Sequence, residues 1–172
     1  LAKALVQSGQ VDEAQEPAGR AVKLNPNHPS AQDALARVYL AQGHVDFAEQ
    51  ALRNALKLAP DAGELHGGLA AVLRHKGQDR EALSHYREAI RRNYGGSTVV
   101  LNAVSCLARI GDQQQAWQLL EQAREKWPKD RAIVLRSAEM QLLAGDPAVA
   151  RERIAEVDDG MADIALLKAR TA

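Results

Sequence analysis

The stretch GHVDFAEQALRNALKLAP, which runs from Gly43 to Pro60, decides the fold class of this protein. Ala48, Leu52 and Ala55 follow the 3.6-residue spacing of one face of an α-helix. Two of these inward positions hold alanine, although a larger side chain would bury more apolar surface. The small side chains indicate that a second helix lies directly against this face.

Composition favours a chain built only from helices. Hydrophobic residues make up 46% of the 172 residues and aromatic residues only 3%, so alanine and leucine must supply most of the core. Strands prefer β-branched and aromatic residues, and the sequence has few runs of either. The predicted fold class is therefore all-α.

The charge balance argues against nucleic acid as the main partner. Lysine and arginine together number 22, and so do aspartate and glutamate. Proteins that bind nucleic acid normally carry a basic surplus that neutralises phosphates. Cys106 is the only cysteine, so no disulfide can form within the chain. No apolar run approaches the roughly 20 residues that cross a bilayer.

The pattern around Gly43 recurs every 34 residues. The repeated glycines are Gly9, Gly43, Gly77, Gly111 and Gly145. Five residues after them stand Ala14, Ala48, Ala82, Ala116 and Ala150. Seven residues further on stand Ala21, Ala55, Ala89, Ala123 and Val157. The next shared position holds Pro26, Pro60, Tyr94 and Pro128.

Each position in the repeat has a physical role. A glycine ends the first helix of a pair, where a left-handed residue closes it. Asp112 and Asp146 are expected to cap second helices, with Pro147 at the favoured first helical position. The proline then stops the second helix and turns the chain into the next repeat.

These residues resemble the glycine–alanine–alanine–proline signature of the tetratricopeptide repeat (TPR) family over nearly the whole chain. The resemblance implies an α-solenoid of antiparallel helix pairs, stacked in a right-handed superhelix whose first helices line a concave groove. First helices are expected near 30–42, 63–76, 97–110 and 131–144. Second helices are expected near 12–24, 46–58, 80–92, 113–126 and 147–157, and a last helix near 162–171.

We expect one array in a fragment of a longer protein, with a truncated first repeat at 1–26. Further repeats follow at 27–60, 61–94, 95–128 and 129–162, and 163–172 is a terminal helix or the start of another repeat. Pro17 is expected to interrupt and kink the opening second helix. Ser137 and Gln141 take positions that are apolar elsewhere, which is typical of a degenerate or terminal repeat.

No catalytic or metal site is predicted, and no cofactor is expected. The five histidines contain no pair three or four residues apart, which would place two ligands on one helix face. Cys106 is interpreted as a small buried thiol without a neighbouring base. Trp117 and Trp127 are interpreted as packing residues rather than as an aromatic cage.

A partner segment is expected in the concave groove. By the family's register, the residues that face it are Asp33, Arg37, Gly67, Ala71, Arg74, His75, Asn102, Ser105, Arg109, Arg136 and Glu139. Its arginines favour an acidic partner or a carboxylate. The alternative, given equal weight, is that nearby acids offset these arginines.

Two further features bear on the partner. The family's clamp for the C-terminal carboxylate of heat-shock chaperones is absent, since its five positions hold Asp33 and Arg37, then Gly68, then Thr98 and Asn102. Asn102 matches the position where some members place an asparagine that bonds a peptide backbone. Gly67 and Gly68 interrupt a helix with small residues, so either a partner segment or an adjacent repeat packs closely there.

The leading hypothesis is a non-catalytic protein-interaction scaffold, in bacterial cell-envelope, secretion, pilus or exopolysaccharide assembly, acting in the cytoplasm or the periplasm. The alternative is the docking array of a larger enzyme, such as a glycosyltransferase or sulfotransferase, whose catalytic domain lies elsewhere. Self-association through terminal repeats is a third expectation.

Overall fold

A computed structural model describes residues 1–155 as helices joined by short turns. The bounds are α1 Ala2–Gln7, α2 Val11–Leu24, α3 Pro29–Ala41, α4 Val45–Leu58, α5 Gly63–His75, α6 Asp79–Arg91, α7 Gly96–Ile110, α8 Gln113–Lys126, α9 Arg131–Ala144 and α10 Pro147–Ala155. Predicted and observed helix ends agree within about two residues, and the all-α fold is confirmed. The expected helix near 162–171 and the position of Val157 lie outside the described residues.

The chain forms two compact units, Leu1–Gly95 and Gly96–Ala172. In the first unit, α1 to α6 pack in sequence as neighbouring helices, and α1 also contacts α3. In the second unit, α7 to α10 pack in the same way, and α7 contacts α9. Among residues 1–155, every helix is too short or too polar to span a membrane.

The repeated alanines lie buried where helices pack against one another. Ala14, Ala48, Ala82, Ala116 and Ala150 all have no solvent-accessible surface. Leu52, Tyr86, Leu120 and Ile154, each four residues further along the second helix, are also buried and fill the adjoining space. These positions of the second helices hold alanine because another helix covers them, as predicted from the sequence.

All five repeated glycines close a first helix in the same way. Each has a φ between 76° and 89°, in the left-handed region. At Gly43, the glycine N–H donates to the carbonyl of Leu40, and the next N–H, of His44, donates to that of Tyr39. This is the Schellman motif, in which two otherwise unpaired helix carbonyls accept hydrogen bonds. The glycines therefore set the length of every first helix.

Two local expectations have different outcomes. Asp112 and Asp146 cap α8 and α10, with side-chain oxygens that accept from N–H groups three residues on. The expected interruption at Pro17 does not occur, since α2 runs unbroken from Val11 to Leu24. Complete burial of Ala14 and Ala18 on either side stabilises the helix despite the lost backbone donor.

The end of α6 differs from the ends of α2, α4 and α8 because Tyr94 stands where those helices are followed by proline. Asn93 takes a left-handed conformation with φ 55°, and the N–H of Tyr94 donates to the Ala89 carbonyl at 2.9 Å. Proline has no N–H and could not form this bond. The motif turns Tyr94 back onto α5, at Gly63 and Gly67.

Gly63 and Gly67 are small because Tyr94 lies against them. A Cβ atom on Gly67 would stand 2.8 Å from the Tyr94 ring, and one on Gly63 would stand 2.9 Å from the Tyr94 Cβ. Real Cβ atoms do not approach that closely, so the ring occupies the space that a side chain would need. The two glycines and the tyrosine form one packing unit.

We predict that Gly67→Ala lowers the free energy of unfolding by about 1–3 kcal/mol, because the added methyl group overpacks the contact with Tyr94. Gly19→Ala is the matched control, since Gly19 lies inside α2 with no atom within 4 Å of an added Cβ. That substitution should stabilise the protein by about 0.5–1 kcal/mol. Urea unfolding measures both values.

Removal of the ring should reverse the effect of the methyl group. In a Tyr94→Ala background, the Gly67→Ala substitution should no longer be destabilising, because the colliding atoms are gone. Equal stabilisation by the alanines at positions 67 and 19 in the wild-type background would contradict the proposed packing.

Candidate functional site

The predicted groove residues are divided between the two units. The first unit contains Asp33 and Arg37 on α3 and Gly67, Ala71, Arg74 and His75 on α5. The second unit contains Asn102, Ser105 and Arg109 on α7 and Arg136 and Glu139 on α9. Each group lies on the first helices of its own unit.

In the first unit, four charged side chains form a network across three successive first helices. Asp33 is only 2% exposed, and its Oδ2 lies 2.5 Å from Lys3 Nζ and 3.1 Å from Arg37 Nε. Glu64 accepts from Lys3 at 3.2 Å and from Arg37 at 2.7 Å. The network links α1, α3 and α5, so it stabilises the stacking of the repeats.

The network also sets the protonation of its cations. Partial burial alone would lower the pKa of Lys3, but the hydrogen bonds and charges of Asp33 and Glu64 outweigh it and raise the pKa above its usual value. The pKa of Arg37 is raised against the same opposition from burial, by Asp33, Glu64 and, more weakly, Tyr94. Two positive charges thus face two negative ones.

Sequence reasoning assigned Asp33 and Arg37 to the groove but missed Lys3 and Glu64. A signal for Lys3 was available, because it stands 34 residues before Arg37 and so takes the same position in the preceding repeat. The structure agrees with the alternative interpretation of Arg37, in which nearby acids offset the arginine. Arg37 is already paired within the protein.

Gly67 does not offer an open surface. It is buried under the Tyr94 ring, and a Cβ on Gly68 would meet Leu52 Cδ2 of the preceding repeat at 3.2 Å. The small residues of α5 are thus explained by contacts within the protein. Tyr94, which is 37% exposed, is the residue that reaches solvent at this point.

Ala71, Arg74 and His75 form what we call the α5 face. Arg74 and His75 stand three and four residues after Ala71, so both are its neighbours one turn along the helix surface. Ala71 and His75 are exposed, and Arg74 is half-buried. The Nε atom of Arg74 is buried and has no hydrogen-bond partner among residues 1–155.

Arg74 is also unusual for its position in the repeat. The equivalent residues 34 positions apart are Val6, Leu40, Ala108 and Leu142. All four are apolar, so the third repeat alone carries a charge there. No ion pair of Arg74 is found in the part of the chain that the structure describes, in contrast to Arg37. A guanidinium group without an internal ion pair has the chemistry to bind a carboxylate or phosphate.

The predicted residues of the second unit are mostly paired or locally bonded. Arg136 and Glu139 form an ion pair at 3.0 Å, and the Ser105 hydroxyl donates to the Leu101 carbonyl at 2.9 Å. Arg109 is exposed, and Asn102 is half-buried.

The fifth repeat accommodates Ser137, the polar residue at a position that is apolar in the other repeats. Ser137 is fully buried, and its hydroxyl lies 3.4 Å from a Glu121 oxygen that also pairs with Arg153 at 2.6 Å.

The second unit also has an apolar cleft that sequence reasoning did not identify. It measures about 510 Å³ and is lined by Trp117, Met140 and Leu143, with glutamines at its edge. Arg153 lies 5.5 Å from the centroid of the Trp117 ring. Trp127, in contrast, packs beside Lys126 at a turn.

The described residues contain no cluster of three side chains able to hold a metal ion. Cys106 is fully buried, as predicted. His66 and His85, on α5 and α6, stand apart from the other histidines because their Nδ1 atoms lie 2.9 Å apart. Burial, followed by the charge of His66, lowers the pKa of His85, although Glu81 opposes the shift.

The hydrogen-bond partner of His66 determines which ring nitrogens of the His66–His85 pair carry hydrogen atoms. His66 Nε2 lies 2.9 Å from the Pro60 carbonyl, which can only accept, so this nitrogen carries the proton of the neutral ring. His66 Nδ1 is then an acceptor, and His85 Nδ1 must donate to it. This pair could not be predicted from the sequence, because its members stand 19 residues apart on two helices.

Comparisons with known proteins agree with this geometry. The chain matches the family model described as tetratricopeptide repeat at residues 1–46 and 34–98, which together cover more than half of its 172 residues. A search of the curated proteins gives no match.

Several solved structures share the fold at low sequence identity. PilF of Pseudomonas aeruginosa is 21% identical with a TM-score of 0.88, covering 100% of this chain and 80% of that one. PilW, described as a type IV pilus biogenesis factor, is 22% identical with a TM-score of 0.83, covering 100% and 81%. YrrB, described as a TPR protein with an unusual peptide-binding site, is 18% identical with a TM-score of 0.76, covering 98% and 88%. With the family match and the repeated helix pairs, these findings lead to one conclusion: the chain belongs to the tetratricopeptide repeat family.

Proposed function

We propose that this protein is a non-catalytic interaction scaffold whose first unit binds an acidic segment of a partner protein at the α5 face. The observation that carries the proposal is Arg74, a half-buried arginine without an ion-pair partner among residues 1–155, in a position that is apolar in the other four repeats. Membership of the TPR family supports the general role of a scaffold. The α5 face supplies the particular site.

The chemistry of Arg74 selects the partner. A guanidinium group binds a carboxylate through two parallel hydrogen bonds, and burial of its Nε makes an unpaired state costly. Ala71, one turn earlier, leaves room beside it for a peptide backbone, and His75 adds a second polar group. An aspartate, a glutamate or a C-terminal carboxylate fits this arrangement.

The charge network around Asp33 makes Lys3 and Arg37 poor sites for an acidic segment, and so it supports Arg74 as the site. Lys3 and Arg37 are neutralised by Asp33 and Glu64, so an acidic partner at that point would have to displace an internal carboxylate. At Arg74, an acidic partner would displace no carboxylate of residues 1–155. An acidic segment is therefore bound more favourably at Arg74 than at Arg37.

The broader role that we propose is assembly of a bacterial envelope structure. The support is the similarity of fold to two structures whose descriptions refer to pilus proteins or pilus biogenesis, PilF and PilW. The docking array of a larger enzyme stays the alternative, and no residue in the described structure favours it over the scaffold.

The first prediction concerns binding. Peptides selected from a randomised library on the wild-type protein should contain aspartate or glutamate, and Arg74→Gln should weaken their binding by about tenfold, the effect of one lost charge-assisted pair. Replacement of the peptide's acids by their amides should have the same effect. Fluorescence polarisation measures the dissociation constants.

Arg80→Gln is the matched control, because Arg80 is an exposed arginine on the second helix of the same pair. It should leave binding unchanged. Selection of peptides without acidic residues, or equal binding by wild type and Arg74→Gln, would rule out the α5 face as an acid-binding site.

The second prediction separates binding from stability. Arg37→Gln should lower the free energy of unfolding by about 1–3 kcal/mol, because the buried Asp33 and the partly exposed Glu64 lose one of the two cations that they share. Arg74→Gln should not lower the free energy of unfolding, because it removes a half-buried guanidinium group whose buried Nε has no hydrogen-bond partner among residues 1–155. Urea unfolding tests both, and the reverse order of the two effects would contradict the roles assigned here.

The third prediction concerns the envelope. In the bacterium that encodes this chain, deletion of its gene should reduce the number of surface pili counted by electron microscopy. The wild-type gene should restore them, and Arg74→Glu should not. Unchanged pili in the deletion strain would reject this assembly role and leave the peptide-binding test unaffected.

A further inference from the structure

The Tyr94 ring lies next to the α5 face, at the end opposite Arg74. It covers Gly67, where an added Cβ would stand 2.8 Å from the Cε1 atom of the ring and 3.0 Å from Cδ1. Gly67, Ala71 and Arg74 follow one another at intervals of four and three residues, so they form one stripe along the helix surface. Because Tyr94 is exposed, its ring adds an aromatic surface that continues the α5 face.

Helix geometry gives the distance between the Tyr94 ring and the Arg74 guanidinium group. Arg74 stands seven residues after Gly67, which separates their Cα atoms by about 10 Å along the axis at a rise of 1.5 Å per residue. A long side chain on a helix points toward the N-terminus and covers the preceding turn, so we expect the guanidinium group nearer to the ring than the Arg74 Cα. The ring and the guanidinium group are then separated by about 5–10 Å.

An extended peptide matches this separation at a spacing of two or three residues. In a β-strand, residues two apart lie on the same face at a distance of about 6.7 Å. In a polyproline II helix, residues three apart lie on the same side at about 9.3 Å. Adjacent residues of a strand point to opposite faces, and residues four or more apart are separated by more than about 12 Å in either form.

The charges at the two ends of the stripe indicate what each peptide residue carries. The Tyr94 end adjoins the charge network, since Tyr94 interacts electrostatically with Arg37. Arg37 already pairs with Asp33 and Glu64, so a charged peptide residue there would disturb balanced ion pairs. A neutral apolar side chain stacks on the ring without that cost. At the other end, Arg74 has no ion-pair partner among residues 1–155, so the acidic residue belongs there.

We propose that Tyr94 is a specificity-determining residue of the α5 face, and that the partner is an extended segment with a large apolar side chain two or three residues from its acidic one. The apolar side chain stacks on the Tyr94 ring while the acid binds Arg74. This inference rests on the function proposed above and assigns the partner a second residue and a spacing.

The test uses ten-residue peptides with one fixed glutamate and random residues elsewhere, selected on the wild-type protein. Leucine, methionine or aromatic residues should be enriched two or three positions from the glutamate, on one side of it, and not at four positions or more. Replacement of that apolar residue by alanine should raise the dissociation constant about threefold to tenfold, the effect of one lost stacking contact. Fluorescence polarisation measures the constants.

Protein variants assign this effect to the ring. On Tyr94→Ala, the peptide and its alanine-substituted form should bind equally, whereas Tyr94→Phe keeps the ring and should retain the difference between them. Phe47→Ala is the matched control, because Phe47 is an exposed aromatic residue on α4, outside the α5 face. It should bind both peptides as the wild type does.

An NMR measurement avoids variants that fold poorly. In the wild-type protein, a selected peptide without tyrosine should shift the ring signals of Tyr94 and leave those of Tyr39, on α3, unchanged. Unchanged Tyr94 signals, or enrichment of apolar residues at any other spacing, would overturn this inference while acid-dependent binding remains. Equal binding after replacement of the fixed glutamate by glutamine would instead reject the Arg74 site itself, and with it both proposals.

Discussion

The close approach of helices at the repeated alanines is the constraint on which the rest of this structure depends. An alanine at each crossing lets two backbones come together, and a larger neighbour such as Leu52 or Tyr86 then fills the space on one side. Within each unit, a helix pair cannot bury both of its faces alone and depends on the neighbouring pair. The repeated alanines are therefore buried in every repeat, whereas other packing positions, such as those of Gly67 and Ser137, vary between repeats.

This division explains how much the sequence could predict. The 34-residue period, the helix ends and the burial of the alanines follow from local rules, because a glycine that closes a helix or a proline that stops one acts within a few residues. Repetition of the same rule across five repeats made the fold and the helix bounds predictable. Pro17 shows where a local rule fails, since packing of Ala14 and Ala18 preserves α2.

The side-chain contacts between repeats could not be predicted in the same way. Asp33 and Glu49 are both buried acids, yet each takes partners from its own helix and from other helices, Lys3, Arg37 and Lys76 among them. Such pairs depend on which rotamers meet across about 30 residues of chain, and a single sequence does not reveal this. The ring of Tyr94 on Gly67 was missed for the same reason, although the absent proline marked the place.

The same positions thus serve different purposes in successive repeats. Where the second repeat has Asp33 within a charge network, the third has Gly67 beneath an aromatic ring, and both arrangements stabilise the stack. Two turns further along, Leu40 is replaced by Arg74, and no acid among residues 1–155 neutralises the new charge. Since a buried, unpaired guanidinium nitrogen is unfavourable, this replacement cannot be explained by stability. The binding that we propose at the α5 face supplies a physical reason for it.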